Sequence, residues 1–150
     1  MRVDVKELHA ALIRSGKTLA LAESCTGGAI AARLTAIPGA SKFFLGSMVV
    51  YSRSWKESFL DVEAESVSLK GAIEMAEGLF EKTEADLVAS VTGIAGPGGG
   101  TTHTPVGTIF IAVGMRGSPI EAKRLMAPQE RAAAIEFAVD EVLAAIRRLV

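Results

Sequence analysis

Asparagine is absent from this 150-residue chain, so it carries no N-glycosylation acceptor and no asparagine amide for an active site. The single cysteine, Cys25, cannot close an internal disulfide, which fits a reducing cytoplasm. Histidine is scarce: His9 falls in a predicted helix and His103 in a loop. Neither is placed by sequence to activate a serine, and no Gly-x-Ser-x-Gly elbow occurs, which argues against a Ser-His-Asp triad. Net charge is only −1, so no bulk basic field draws the chain to nucleic acid or to a membrane surface. No apolar run approaches a membrane span, and Met1-Arg2-Val3-Asp4 lacks a signal peptide's apolar core. The expectation is a cytoplasmic protein. Arg14-Ser15-Gly16-Lys17-Thr18 looks like the end of a phosphate-binding loop, but Ala11 stands where the first glycine belongs.

What is present is apolar and periodic. Hydrophobic residues make up 49% of the chain, enough for one domain over residues 1–150 with a real core. Val5, Leu8 and Leu12 recur at helical spacing before Gly16, predicting a helix over 3–15. A short buried strand follows over 18–22, then a helix over 27–36 stopped by Pro38-Gly39. A strand interrupted by Gly46 is expected over 43–51, a short helix capped by Ser52 runs to about Leu60, and 63–68 reads as a loop. A helix over 69–82 and a strand over 86–91 lead into the glycine-dense stretch 92–101. Strands over 106–113 and 120–126, the second an edge strand, form a hairpin, and Pro128 opens a last helix. Strands alternating with helices predict a three-layer α/β/α fold, its sheet mixed and mostly parallel and covered by helices on both faces.

The chemistry centres on Ala22-Glu23-Ser24-Cys25-Thr26-Gly27-Gly28, where a strand turns into a helix. Free N–H groups and the positive end of the helix dipole are expected to converge there and to attract phosphate, carboxylate or an oxyanion. A capping serine is the bland alternative for Ser24, yet Thr26 caps as well and two glycines disfavour a helix start, so close backbone approach is indicated. Serine needs a base to become a nucleophile, and a partly buried lysine can serve. Lys56 follows a strand end, where open α/β sheets place their sites. Cys25 is the rival nucleophile, with a packing residue as its plainer reading. The strand ends at 24–28, 51–56 and 92–101 predict one shared pocket. Its expected lining is Thr26, Gly27 and Gly28, then Tyr51, Ser52 and Arg53, then Thr92, Gly93, Gly96, Gly99 and Gly100.

The motif 22–28, Thr92-Gly93-Ile94-Ala95-Gly96-Pro97-x-Gly99-Gly100, Pro105-Val106-Gly107-Thr108 and Tyr51-Ser52-x-x-x-Lys56 together resemble the CinA C-terminal domain family, over roughly residues 5 to 145 and in its stand-alone form. The resemblance implies a nicotinamide-nucleotide amidase that converts nicotinamide mononucleotide and water to nicotinate mononucleotide and ammonia. It makes Ser24 the nucleophile and Lys56 the general base, and it calls for no metal and no cofactor. The sequence departs from the family at Arg53, Thr104 and Ile135, where asparagine, lysine and a second arginine are usual, and Glu65-Ser66-Val67-Ser68 replaces Gly-Ala-Val-Ser. A mononucleotide phosphate wants a cation, and Arg53, Arg131 or backbone N–H groups are the candidates to hold it. These departures keep a second reading open: an altered or inactive nucleotide-binding or regulatory module on the same scaffold. A third reading is a homo-oligomer assembled through the last helix. The partner implied by the first two is a small molecule, neither nucleic acid nor membrane.

Overall fold

A computed structural model describes residues 2–150. Five strands form one sheet in the order β2-β1-β3-β4-β5: β1 Leu19–Glu23, β2 Phe44–Val49, β3 Leu87–Gly93, β4 Thr108–Met115 and β5 Glu121–Met126. β1 pairs in parallel with β2 and β3, whereas β4 runs antiparallel to both β3 and β5. The helices are α1 Val5–Ser15, α2 Ala29–Thr35, α3 Arg53–Leu60, α4 Leu69–Lys82 and α5 Arg131–Arg147. Side chains alternate across a strand. Leu19 and Leu21 of β1, Leu87, Ala89 and Val91 of β3, and Ile109 and Ile111 of β4 accordingly join one core with α1, α2 and α5. Ala20, Ala22, Val88, Phe110 and Ala112 face the opposite core with α3 and α4. The small residues on that second face let α4 come close: the Ser90 hydroxyl on β3 donates to the Ala72 carbonyl of α4 at 2.6 Å. The expected three layers are therefore present, with helices on both faces.

Several boundaries differ from the sequence expectation for local reasons. α2 begins at Ala29 rather than 27, because Gly27 and Gly28 take positive φ angles of 60° and 104°. β2 begins at Phe44, behind a 3-10 turn at Ala40–Lys42 that the sequence reading did not include. α5 begins at Arg131, three residues after Pro128, where the Glu130 side chain accepts from the N–H groups of Ala132 and Ala133. Its apolar residues Val139, Val142 and Ile146 are buried in the core, so that stripe is used within the chain. β5 carries Glu121, Lys123 and Arg124 exposed, as an edge strand should. No helix among the described residues is long and apolar enough to cross a membrane.

The strand order places β2 on one side of β1 and β3 on the other. Ligand crevices of α/β sheets form outside the carboxyl ends of strands where the order reverses in this way. Ser24 lies at that end of β1, Tyr51 just beyond β2, and Gly93 ends β3. The first turn of α5 returns to the same edge after β5.

Candidate active site

Ser24 is buried, and its N–H donates to the Val91 carbonyl of β3 at 3.1 Å. Its hydroxyl donates to the Tyr51 carbonyl at 3.3 Å. The Lys56 amine donates to that same carbonyl at 3.2 Å and meets the Ser66 hydroxyl at 2.6 Å. Ser24 and Lys56 thus converge on one backbone oxygen, supplied where β2 turns into α3. The Lys56 side chain enters the protein from α3 and is only 2% exposed. Burial disfavours its charged form and pulls its pKa below the ordinary 10.5 of a lysine. An amine that gives up its proton readily is what a general base requires.

A cavity of about 220 Å³ opens over these groups. Ser24, Cys25, Tyr51, Lys56, Ser66 and Val67 line it together with Gly93 to Gly96, Gly98, Gly99 and Arg131. Arg131 spans the mouth, donating to the Gly96 carbonyl at 2.6 Å and to the Tyr51 phenol oxygen at 3.2 Å. Gly96 has φ +82°, and a Cβ there would collide with Val106 Cγ1, so only glycine lets the loop lie this close. A more open groove of about 510 Å³ continues past Gly98 and Gly99, lined by Pro97, Gly100, Thr101, Pro105, Val106 and Gln129.

The comparisons with known proteins bear on this arrangement. The model of the CinA C-terminal domain matches residues 4–150. The chain belongs to the CinA C-terminal domain family. A CinA-like protein of Parasynechococcus marenigrum is 43% identical over 146 residues, 93% of this chain and 35% of that protein. A CinA-like protein of Desulfotalea psychrophila is 54% identical over 108 residues, 68% of this chain and 26% of that protein. The chain thus spans about a third or less of the length of these two relatives. Among solved structures, a competence/damage inducible protein of Agrobacterium tumefaciens superposes with TM-score 0.90 at 32% identity, covering 98% of this chain and 96% of that one. The competence damage-inducible protein A of Klebsiella pneumoniae gives 0.89 at 36% identity, covering 97% and 96%.

Within this CinA domain, Ser24, Lys56, Tyr51, Gly93, Gly96 and Gly99 all line the cavity. The other expected lining residues have different work. Thr26 is buried and donates to the Glu23 carboxylate at 2.6 Å. Gly27 and Gly28 shape the turn without reaching the cavity. Ser52 caps α3 by accepting the Trp55 N–H. Arg53 is exposed on the first turn of α3 and does not line the cavity, whereas Arg131 does. Thr92 is fully buried and donates to the Ser66 carbonyl at 2.8 Å, and Gly100 belongs to the adjoining groove.

The anion attraction expected of the α2 N-terminus is corrected. Glu23, fully buried, turns back beneath the helix and accepts from the N–H groups of Ile30 at 3.0 Å and Ala31 at 3.1 Å. It also accepts from the Thr26 and Ser47 hydroxyls. The chain's own carboxylate therefore occupies the place that a bound anion would take. The N–H groups of Cys25 and Thr26 lie outside this clamp and donate to no backbone oxygen among the described residues.

Two residues escaped the sequence reading. Glu23 was legible in principle, since a carboxylate closing a buried strand must find donors. Ser66 was legible only as part of Glu65-Ser66-Val67-Ser68, which stands where the family has Gly-Ala-Val-Ser, and nothing in the sequence joined it to Lys56. Cys25 is buried, and burial pushes its thiol up to about 11, against the usual 9.0. Iodoacetamide at pH 8 is accordingly expected to leave native Cys25 unmodified and to alkylate it after denaturation. Rapid alkylation of the folded chain, read by intact mass, would restore it as a nucleophile.

Proposed function

We propose that this CinA domain is an amidohydrolase that releases ammonia from the carboxamide of nicotinamide mononucleotide. The observation that carries this reading is the meeting of the Ser24 hydroxyl and the buried Lys56 amine at the Tyr51 carbonyl, inside a cavity. Neutral Lys56 takes the Ser24 proton as Oγ bonds to the carboxamide carbon and the carbonyl electron pair moves onto oxygen. The N–H group of Cys25, which lines the cavity and donates to no backbone oxygen, is the donor at hand for that oxyanion. Collapse breaks the C–N bond, and the proton held by Lys56 leaves with ammonia. Water then attacks the ester at Ser24, gives its proton to Lys56, and the carboxylate product departs while Ser24 regains its proton.

Apart from Lys56, Arg131 is the cation that lines the cavity, so it is assigned the phosphate. It takes the part for which the sequence offered Arg53, Arg131 and backbone N–H groups. The test is the conversion of nicotinamide mononucleotide by the full chain, with ammonia and nicotinate mononucleotide measured together in equal amounts. Neither product from a folded preparation would overturn the reading.

One observation favours the second reading, a binding module. Ser24 and Lys56 share an acceptor but do not bond to each other among the hydrogen bonds of the described residues. That reading expects heat on titration with the mononucleotide and no ammonia.

A further inference from the structure

The segment between α3 and α4 has no regular secondary structure, yet its neighbours tie it down. Glu74 on α4 accepts from the N–H groups of Glu63 at 2.9 Å and Ala64 at 2.8 Å. The Ser68 hydroxyl donates to the Glu65 carbonyl at 2.8 Å and accepts the Gly71 N–H at 2.9 Å. A Cβ at Gly71 would stand 2.5 Å from the Glu65 carbonyl oxygen, so glycine permits the helix to sit against the segment. Thr92 secures the Ser66 carbonyl from β3 at 2.8 Å. The outcome of all four attachments is that Ser66 lines the cavity with its hydroxyl 2.6 Å from the Lys56 amine, shorter than the amine's bond to Tyr51.

We infer that Ser66 is a positioning residue for Lys56, aiming the amine's lone pair and setting its hold on the proton; this rests on the amidohydrolase reading above. A neutral lysine amine carries two N–H bonds and one lone pair in a tetrahedral arrangement. Two fixed oxygens, the Tyr51 carbonyl and the Ser66 hydroxyl, take the two N–H bonds. The lone pair is left the remaining position. With Tyr51 alone, the amine would turn about its terminal bond and spend much of its time with the lone pair misdirected. When Lys56 is protonated, Ser66 accepts from the ammonium and stabilises the charge that burial disfavours. The two effects act on different observables. Losing the hydroxyl lowers the limiting rate through orientation. It moves the rise of rate with pH to lower pH, because the charged form loses an acceptor.

The test uses a fluorophosphonate probe on the full chain, which forms an oxygen–phosphorus bond at an activated serine and expels fluoride. It needs no knowledge of the natural substrate. Labelling rates are measured against pH, and the modified residue is located by peptide mass. Wild-type protein is expected to be labelled at Ser24, faster as pH rises. Ser66→Ala should lower the limiting rate about 10-fold and shift the limb down by about 0.5–1 pH unit. Ser66→Thr, which keeps a hydroxyl, should restore both. If Ser66→Ala does not fold by circular dichroism, Ser66→Gly, which also lacks the hydroxyl, should show the same two changes. Labelling of Ser66→Ala at the wild-type rate with an unmoved limb would overturn the positioning role and leave the amidohydrolase reading standing. An adduct on Ser66 itself would also overturn it. Wild-type protein that is not labelled at Ser24, or Lys56→Ala labelled as fast as wild type, would overturn both.

Discussion

Ser24→Ala is expected to leave no measurable release of ammonia from nicotinamide mononucleotide, and Lys56→Met to lower it by about 10³-fold. The first removes the hydroxyl that carries the acyl group in the proposed mechanism. The second keeps the length and the apolar stem of the side chain and deletes the amine, so the packing around α3 survives. The two substitutions should differ in stability. Ser24→Ala removes a long hydrogen bond and little else. Lys56→Met removes an amine whose charged form burial disfavours. Burial holds the folded pKa of Lys56 below the 10.5 it recovers when the chain unfolds. Between those two values the unfolded chain binds more protons, so wild-type stability rises with pH across that window. Below the folded pKa the whole penalty is present. Lys56→Met should therefore be more stable than wild type at pH 7, with the gap narrowing as pH approaches 10. Urea denaturation of both proteins at the two pH values checks this. A Lys56→Met protein that is less stable at pH 7 would mean the amine is held by more than its two hydrogen bonds. The same substitution that retained full turnover would remove Lys56 from the mechanism.

Glu23→Ala carries the largest expected loss of stability, on the order of 3 kcal/mol. The carboxylate satisfies the N–H groups of Ile30 and Ala31 and the hydroxyls of Thr26 and Ser47. The hydroxyls can rotate to other partners, but the two N–H groups cannot. Glu23 and Ile30 are both buried, so water does not readily replace the carboxylate at the Ile30 N–H. Leaving buried donors unpaired costs more than the bond was worth. For a domain of this size the midpoint of thermal unfolding should fall by roughly 10 °C. Glu23→Gln retains one acceptor oxygen and turns an amide toward groups that are themselves donors, so it should fall in between. Activity should drop with Glu23→Ala even well below the melting point, because Ser24 is the next residue and its turn is built on this clamp. A melting midpoint within about 2 °C of wild type would show that the cluster is satisfied in some other way.

Much of this protein is legible in its sequence because its strands are short, apolar and separated by clear breaks. The alternation of strand and helix specifies the three layers, and the hairpin after the glycine loop specifies the antiparallel part of the sheet. The strand ends at residues 24, 51 and 93 can be assigned to one pocket because the sheet rule needs only element order. The boundaries were less legible. Gly27 and Gly28 have the same residue type wherever they sit, and only their positive φ angles show that they precede α2 rather than start it.

The sequence alone determined the α/β layers and the family, and it supplied the candidate serine and lysine, since each depends on residue type and order along the chain. The tertiary structure alone decided how those groups meet. Glu23 could be seen to silence the α2 N-terminus only once Ile30, Ala31, Thr26 and Ser47 had been brought around it. Arg131, at the start of the last helix, reached the cavity, while Arg53, close in sequence to Lys56, pointed to solvent. Ser66 came to lie 2.6 Å from Lys56 through attachments to α4 and β3 that no local pattern encodes. The physical reason is common to all three: hydrogen bonds and charge act over a few ångströms in space, and separation along the chain does not predict which groups share them.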